Sequence, residues 1–274
     1  MLTVLVFTNS VSLSNTQRRE DPGMKKRVHR ETNWLSHGHS RPGITREKVT
    51  REAIAILDRH GISGLTMRDL ARRLKVKAAS LYNHVHDKQD LLTLVADSIC
   101  ADLQINAVRG WREFLKETAI QFRKVLLSHR DAAQIMAATA PVGPNRLRLI
   151  ESVLCSLIRA GFTPVDAIDA ASVQNSFVVG FVLDETLGNA EIPEGGRSIK
   201  QKPNWLKSLP PDRFPTISAL AHELADTGSD RRFAFGIHAL LDGFEVKLHM
   251  KKRGASRRKA GLPSAATPFR GQLR

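Results

Sequence analysis

Two short apolar stripes separated by a three-residue break constrain this chain more than any other feature. In "LTMRDLARRLKVKAASLYNHVHDKQDLL" (65–92) the first stripe is Leu70, Ala71 and Leu74, and the second is Leu81 and Val85. Thr66 followed by Asp69 forms a capping-box start for one short helix. "KVK" (75–77) supplies a turn, and a further helix is expected over roughly Ala78 to Val85. Upstream, Val49, Ala53, Ile56 and Leu57 share one face of a longer helix that Gly61 stops. Downstream, Asp87 caps a longer helix carrying Leu91, Leu92 and Val95. Two short helices joined by a tight turn, resting on a third as platform, make a helix-turn-helix.

The same stretch crowds Arg68, Arg72, Arg73, Lys75, Lys77 and Lys88 together. A charge run can be nothing more than a solvated helix face, so its setting decides. The net charge of +15 is unevenly spread. Residues 1–100 hold 17 Lys/Arg against 10 Asp/Glu, residues 101–246 hold 16 against 17, and residues 247–274 hold 9 against none. A near-neutral body thus carries a basic front and a basic tail, which points the front towards nucleic acid or another polyanion.

The helix starting at Ala78 is small-headed, so its beginning can enter a major groove about 12 Å wide. There Ala78 and Ala79 are suited to thymine methyls and Ser80 to base edges. Tyr82, His84 and Lys88 are placed for phosphate oxygens, and Arg68 for a guanine or a phosphate. Thr66, Met67, Lys77 and Asn83 complete the expected DNA-facing set. The plainer reading leaves Tyr82 half in the core and His84 satisfying a neighbouring carbonyl.

Elsewhere the pattern reads helical, with no strand-like alternation, and the one extended loop signal is residues 191–215. "AIDAASVQNSFVVGFVLDETL" (167–187) and "RRFAFGIHALLDGFEVKLHM" (231–250) are apolar around much of their circumference, as helices buried on more than one side are. The expected fold class is therefore all-α. A disordered basic arm (1–42) precedes a three-helix DNA-binding domain (43–90), a larger helical domain (91–250) and a disordered basic tail (251–274). Lys25, Lys26, Arg27 and Arg30 in the arm, and Lys251, Lys252, Arg253, Arg257, Arg258 and Lys259 in the tail, are expected to add non-specific DNA affinity.

Cys100 and Cys155 lie in apolar helical patterns and read as small buried hydrophobes of a reducing cytoplasm. No apolar run long enough to span a membrane or form a signal-peptide core is present, so a cytoplasmic protein without a membrane partner is expected. His37 and His39 lack companions at ligand spacing, and neither a metal nor another cofactor is expected. No nucleophile–His–acid set or phosphate loop stands out, and "HRD" (129–131) lacks the rest of a kinase pattern. An enzyme is not the expectation. The alternative to a regulator is an architectural protein that coats DNA, which would leave the near-neutral body idle.

The segment "GLTMRDLARRLKVKAASLYNHVHDKQDLL" resembles the DNA-binding region of tetracycline-repressor-type (TetR-family) regulators. It shares their G-hydrophobic-T, L-A-x-x-L, L-Y-x-H and K-x-x-L-L elements. "FLKETAIQFRKVLLSHRD" (114–131), "GFTPVDAIDAASVQNSFVVGFVLDE" (161–185) and "FAFGIHALLDGFE" (233–245) resemble the effector-binding and dimerisation body of the same family. In the turn, Lys75 stands where the family usually has a small residue, mostly Gly.

The resemblance implies a homodimer that binds a palindromic double-stranded operator and is released by a small-molecule effector. It also implies a four-helix interface built from the two apolar helices of each subunit, with Gly180, Gly236 and Gly243 allowing close approach. Carried over residue by residue, it puts Met136 where a metal-binding His belongs and Ala140 where an Arg is expected, whereas Thr139 and Pro141 match. Gln104 stands at a drug-contacting His position and Thr118 at a drug-contacting Asn, while Phe122 is retained. A thioether is a poor ligand for Mg²⁺, so the expected effector is apolar or aromatic and not magnesium–tetracycline. Gln104, Thr118, Phe122, Met136, Thr139, Ile168, Gln174 and Phe177 are its candidate contacts.

Overall fold

The computed structural model describes residues 44–104, 110–187, 208–225 and 228–259, with side chains up to residue 250 apart from those of Leu187 and Ala225. The expected arm, with His37 and His39, and residues 260–274 of the tail lie outside the described residues. All regular structure among the described residues is helical.

The DNA-binding head begins with α1 (Arg46–Gly64), behind Thr45, whose hydroxyl accepts the Lys48 N–H at 3.2 Å. Gly61 breaks this helix with φ 70°, where a side chain would be strained. The next helix, α2 (Met67–Leu74), starts behind Thr66, which accepts the Asp69 N–H at 3.1 Å. After the turn comes α3 (Ala78–Leu81). Then α4 (Lys88–Ile99) starts behind Asp87, which takes the Asp90 N–H at 2.7 Å. Leu57, Leu65, Leu70, Leu81, Val85 and Leu91 are fully buried, so the two expected stripes meet on α1 and α4.

Helix α3 is shorter than the expected run to Val85. The amides of His84 and Val85 both return to the Leu81 carbonyl, at 2.8 and 3.0 Å. The His84 carbonyl is taken by Arg46 Nε at 3.1 Å, a tie 38 residues away in sequence that holds the chain in a turn.

A 3₁₀ turn (Cys100–Asp102) ends α4, and the body follows: α5 (Trp111–Leu127), α6 (Ala132–Ala138), α7 (Pro144–Ala160) and α8 (Pro164–Leu187). After residues 208–214 come α9 (Pro215–Ala219), α10 (Ala221–Ala225) and α11 (Ser229–Lys259). Helix α11 continues into the stretch expected to be disordered from residue 251. Helix α8 packs on α5, α6, α7 and α11, and its buried stripe is Ala167, Ala170, Gln174, Val178 and Val182.

One polar node locks three of these helices. Arg123 on α5 forks onto Glu185 of α8 at 2.7 and 3.0 Å and reaches Asp230 of α11 at 2.6 Å. Its guanidinium also lies 4.8 Å from the Phe233 ring centre. The bidentate hydrogen bond from Arg123 holds the Glu185 carboxyl below its ordinary pKa and raises that of the guanidinium.

The expectation that α8 and α11 are buried on more than one side is met only in part within one chain. On α11, Phe233, Ile237, Leu241, Phe244 and Leu248 point inward, while Phe235 is 76% exposed and Val246 and Met250 face out. On α8, Val165, Ile168 and Val173 face out. Gly180 and Gly243 have open space where a Cβ would stand, whereas a Cβ on Gly236 would lie 2.3 Å from the Phe177 ring. Gly236 therefore serves a close contact within the chain.

Lys75 carries the cost of the turn. It sits in the left-handed region at φ 56° and ψ 43°, with Val76 N–H closing onto the Ala71 carbonyl at 3.0 Å. Lys75→Gly relieves that strain, offset in part by the greater freedom of glycine in the unfolded chain. The expected outcome is a gain of up to about 1 kcal/mol, read as a higher urea midpoint with unchanged slope.

Candidate nucleic-acid interface and effector body

The residues expected to face DNA form one outward surface on α2, α3 and the turn after it. Arg68, Lys77, Ala78, Ala79 and Asn83 are exposed, and Tyr82 is 50% exposed, so its ring is not held in the core. Ser80 and His84 are half-buried, and Met67 packs against the core from the same edge. Thr66 is exposed but occupied: its hydroxyl donates to Asp69 Oδ2 at 2.8 Å while accepting the Asp69 N–H. Arg72 is paired with the other Asp69 oxygen at 2.6 Å, which leaves Arg68 as the forward cation of α2.

Lys88 makes a contact within the chain that sequence reasoning did not foresee. Its ammonium donates to the Ile62 carbonyl at 2.8 Å, at the broken end of α1. Two of its three donors remain for another partner.

The same broken end receives the body. Asp131 accepts the Ile62 N–H at 2.8 Å, and Asp58 accepts the Arg130 N–H and faces His129 Nδ1, each at 3.2 Å. Arg130 donates to the Arg59 carbonyl at 3.2 Å. A Cβ on Gly61 would lie 2.7 Å from Asp131 Oδ2, so glycine is required here for contact as well as for backbone angle. The "HRD" triplet, which reads from sequence as a kinase fragment without its companions, is thus the clasp between head and body. At the far end of α6, Gln89 of α4 donates to the Ala138 carbonyl at 2.8 Å.

Five of the eight candidate effector contacts enter the body's interior. Thr118, Phe122, Met136, Thr139 and Gln174 are all buried, on or beside α5, α6 and α8. Gln174 donates to the Leu115 carbonyl at 3.1 Å, and the Thr139 hydroxyl donates to Ile135 at 2.8 Å. Phe177 instead joins Phe181 and Phe233 in an aromatic cluster, with ring centres 5.7 and 5.6 Å away. Ile168 is 47% exposed, because it lies about 100° around α8 from the inward Ala167. Gln104 is exposed as well.

Two side chains that sequence reasoning passed over sit beside this interior. Asp97, buried on α4, accepts the N–H groups of Asn145 and Arg146 at 2.9 Å and the Asn145 side-chain amide at 3.0 Å. A lone carboxylate in the apolar run "LLTLVADSIC" was its signal. Arg146 of α7 reaches back with one nitrogen to Thr139 Oγ1 at 2.9 Å and to the Thr139 and Ala140 carbonyls at 3.3 and 3.0 Å. Burial pushes the nearby Cys100 thiol up to about 12, which keeps it neutral, as expected for a packed hydrophobe. Cys155 is only half-buried.

A helix-turn-helix head clasped to a helical body defines a one-component DNA-binding regulator. Comparison with known proteins identifies the kind. Residues 49–95 match the family pattern of bacterial regulatory proteins of the tetR family, and residues 106–248 match the tetracyclin repressor-like C-terminal domain. The class A tetracycline repressor of transposon 1721 from Escherichia coli is 34% identical over 199 residues, 71% of this chain and 88% of that one. The class G tetracycline repressor of Vibrio anguillarum is 34% identical over 201 residues, 72% of this chain and 91% of that one. Among solved structures, the Streptomyces coelicolor TetR family protein ActR in complex with actinorhodin superposes with a TM-score of 0.68. That match is 32% identical and covers 75% of this chain and 98% of that one. This chain belongs to the TetR family of transcriptional regulators. Its fold is the family's DNA-binding head with a larger C-terminal helical domain, and no described helix is long and apolar enough to cross a membrane.

Lys88→Ala removes the tie to Ile62 as well as a cation expected to face DNA. The expected result is a lower melting temperature together with weaker binding to all DNA sequences alike. The slope of log affinity against log salt should fall by about one unit. Salt-gradient titrations on two unrelated duplexes measure both effects.

Proposed function

We propose that this chain is a homodimeric repressor, which binds a palindromic operator and is released by an apolar or aromatic effector. The observation that carries the reading is the clasp. Helix α6 bears Met136, begins at the residue that holds Ile62, and ends at the carbonyl that holds Gln89. A ligand that shifts α6 must pull on α1 and α4 together, and these position α2 and α3. The effect is limited by the ligand's differential affinity for the two arrangements.

A dimer follows from the outward apolar side chains of α8 and α11, which include Val165, Val173, Phe235 and Val246. Two heads must then meet successive major grooves about 34–36 Å apart. In this reading Ala78 and Ala79 touch thymine methyls, Ser80 and Arg68 read base edges, and Tyr82, His84 and Lys88 hold phosphates.

Selection from a random duplex pool, followed by footprinting, tests this directly. A repressor enriches one inverted repeat with half-sites roughly one helical turn, about 10 bp, apart. Uniform protection of all duplexes would instead indicate a DNA-coating protein. Within the selected site, Ser80→Ala and Arg68→Ala should each flatten the preference at one position, at a cost of roughly 1–3 kcal/mol.

The effector is not magnesium–tetracycline, because Met136 and Ala140 occupy the positions of the family's metal-binding His and its Arg. Calorimetry with tetracycline should detect no magnesium-dependent binding in the micromolar range. Such binding would refute the assignment.

A further inference from the structure

Arg146 is a guanidinium with too little negative charge around it. All three of its side-chain hydrogen bonds run from Nη1 to neutral oxygens of Thr139 and Ala140. Among the described residues it makes no ion pair, and no protein oxygen accepts from Nε or Nη2. The nearest carboxylate, Asp97, is already spent: its oxygens accept two backbone N–H groups and the Asn145 amide. The only other ionisable neighbour acting on it, Cys100, is a neutral thiol at physiological pH, with its pKa raised to about 12. Desolvation accordingly outweighs the compensating charges, and the Arg146 pKa is drawn down from its ordinary value. The group remains cationic, since a guanidinium keeps its proton far above neutral pH.

The unused donors are reachable. Among the described side chains, only Arg73 Nη1 and Ser218 Oγ are enclosed without a partner. Arg146 Nε and Nη2 are not among them, so both keep surface that solvent can reach. They also lie beside the candidate effector contacts, because Nη1 is 2.9 Å from Thr139 Oγ1 and Met136 lies one helical turn before Thr139.

We propose that Arg146 is the anion-recognising group of the effector site, taking a carboxylate or acidic phenolate borne on an aromatic effector. The inference rests on the effector reading above and refines it. In this proposal the ring system packs against the apolar side chains of Phe122 and Met136, and the planar guanidinium fork selects the oxyanion. Arg146 thereby takes over, from α7, a charge that Ala140 cannot supply. A guanidinium drawn towards such an anion also draws on the C-terminal end of α6, which it holds through Thr139 and Ala140.

The test uses the full-length protein and two fluorescent probes, anthracene-2-carboxylate and its neutral carboxamide, titrated by anisotropy. The wild type should bind the acid about tenfold or more tightly than the amide, as expected for a charge-assisted pair. Arg146→Gln should bring that ratio close to one while leaving the affinity for the amide within about twofold. Because the ratio is taken within one protein, a general loss of stability cancels. If Arg146→Gln does not fold, Arg146→Lys, which keeps the charge without the fork, should lower the ratio to an intermediate value. Equal binding of the two probes by the wild type, or a ratio unchanged in both variants, overturns the role of Arg146 and leaves the effector reading standing. Binding of neither probe counts against the effector reading, and this inference falls with it.

Discussion

The backbone of Ile62 is where head and body meet. Gly61 breaks α1 just before it, so the Ile62 N–H turns to a partner outside the helix, while its carbonyl accepts the Leu65 N–H at 3.3 Å and has room for a second donor. Asp131 of the body takes the N–H and Lys88 of α4 takes the carbonyl, each at 2.8 Å. A buried polar group left unsatisfied costs about 1–3 kcal/mol, comparable to the whole coupling free energy of a typical allosteric protein, about 1–3 kcal/mol. The junction is therefore strong enough to matter and weak enough to be redirected by a ligand.

Helix α4 inherits its position from this arrangement. Lys88 and Gln89 at its start are bonded to α1 and to the end of α6, while Asp97 near its other end caps the first turn of α7. Neither α1, α6 nor α7 can shift without loading α4. The body gives that lever a rigid base, because the Arg123 node joins α5, α8 and α11 with a fork, a second carboxylate and an aromatic face. Stiffness behind the lever and breakable hydrogen bonds along it are what a transmitted displacement requires.

Much of this was legible in the sequence because its causes are local. Helical periodicity, the caps at Thr66 and Asp87, the stop at Gly61 and the basic crowd of residues 68–88 each act over a few residues. Together they specified an all-α chain with a helix-turn-helix head and the exposed face of α2 and α3. The left-handed turn at Lys75 was visible as a departure from the expected small residue, and its φ of 56° bears that out.

What the sequence could not reveal depends on contacts between distant residues. The early end of α3 comes from Arg46 on the His84 carbonyl, the role of "HRD" from Asp58 and Ile62, and the inward turn of Gly236 from Phe177. Ile168 faces outward and Phe177 joins Phe181 and Phe233 because the rotation of α8, set by its packing on four helices, decides which residues of an apolar helix face inward. Arg146 looked like one of many cations and acquired its character only when folding placed it over Thr139, away from any free carboxylate. The sequence by itself determined the helices and the exposed basic surface of the helix-turn-helix, because propensity, capping and periodicity operate within a turn or two of chain. The tertiary structure alone decided the clasp and the charge environment of the body, because hydrogen bonding and desolvation depend on which surfaces meet.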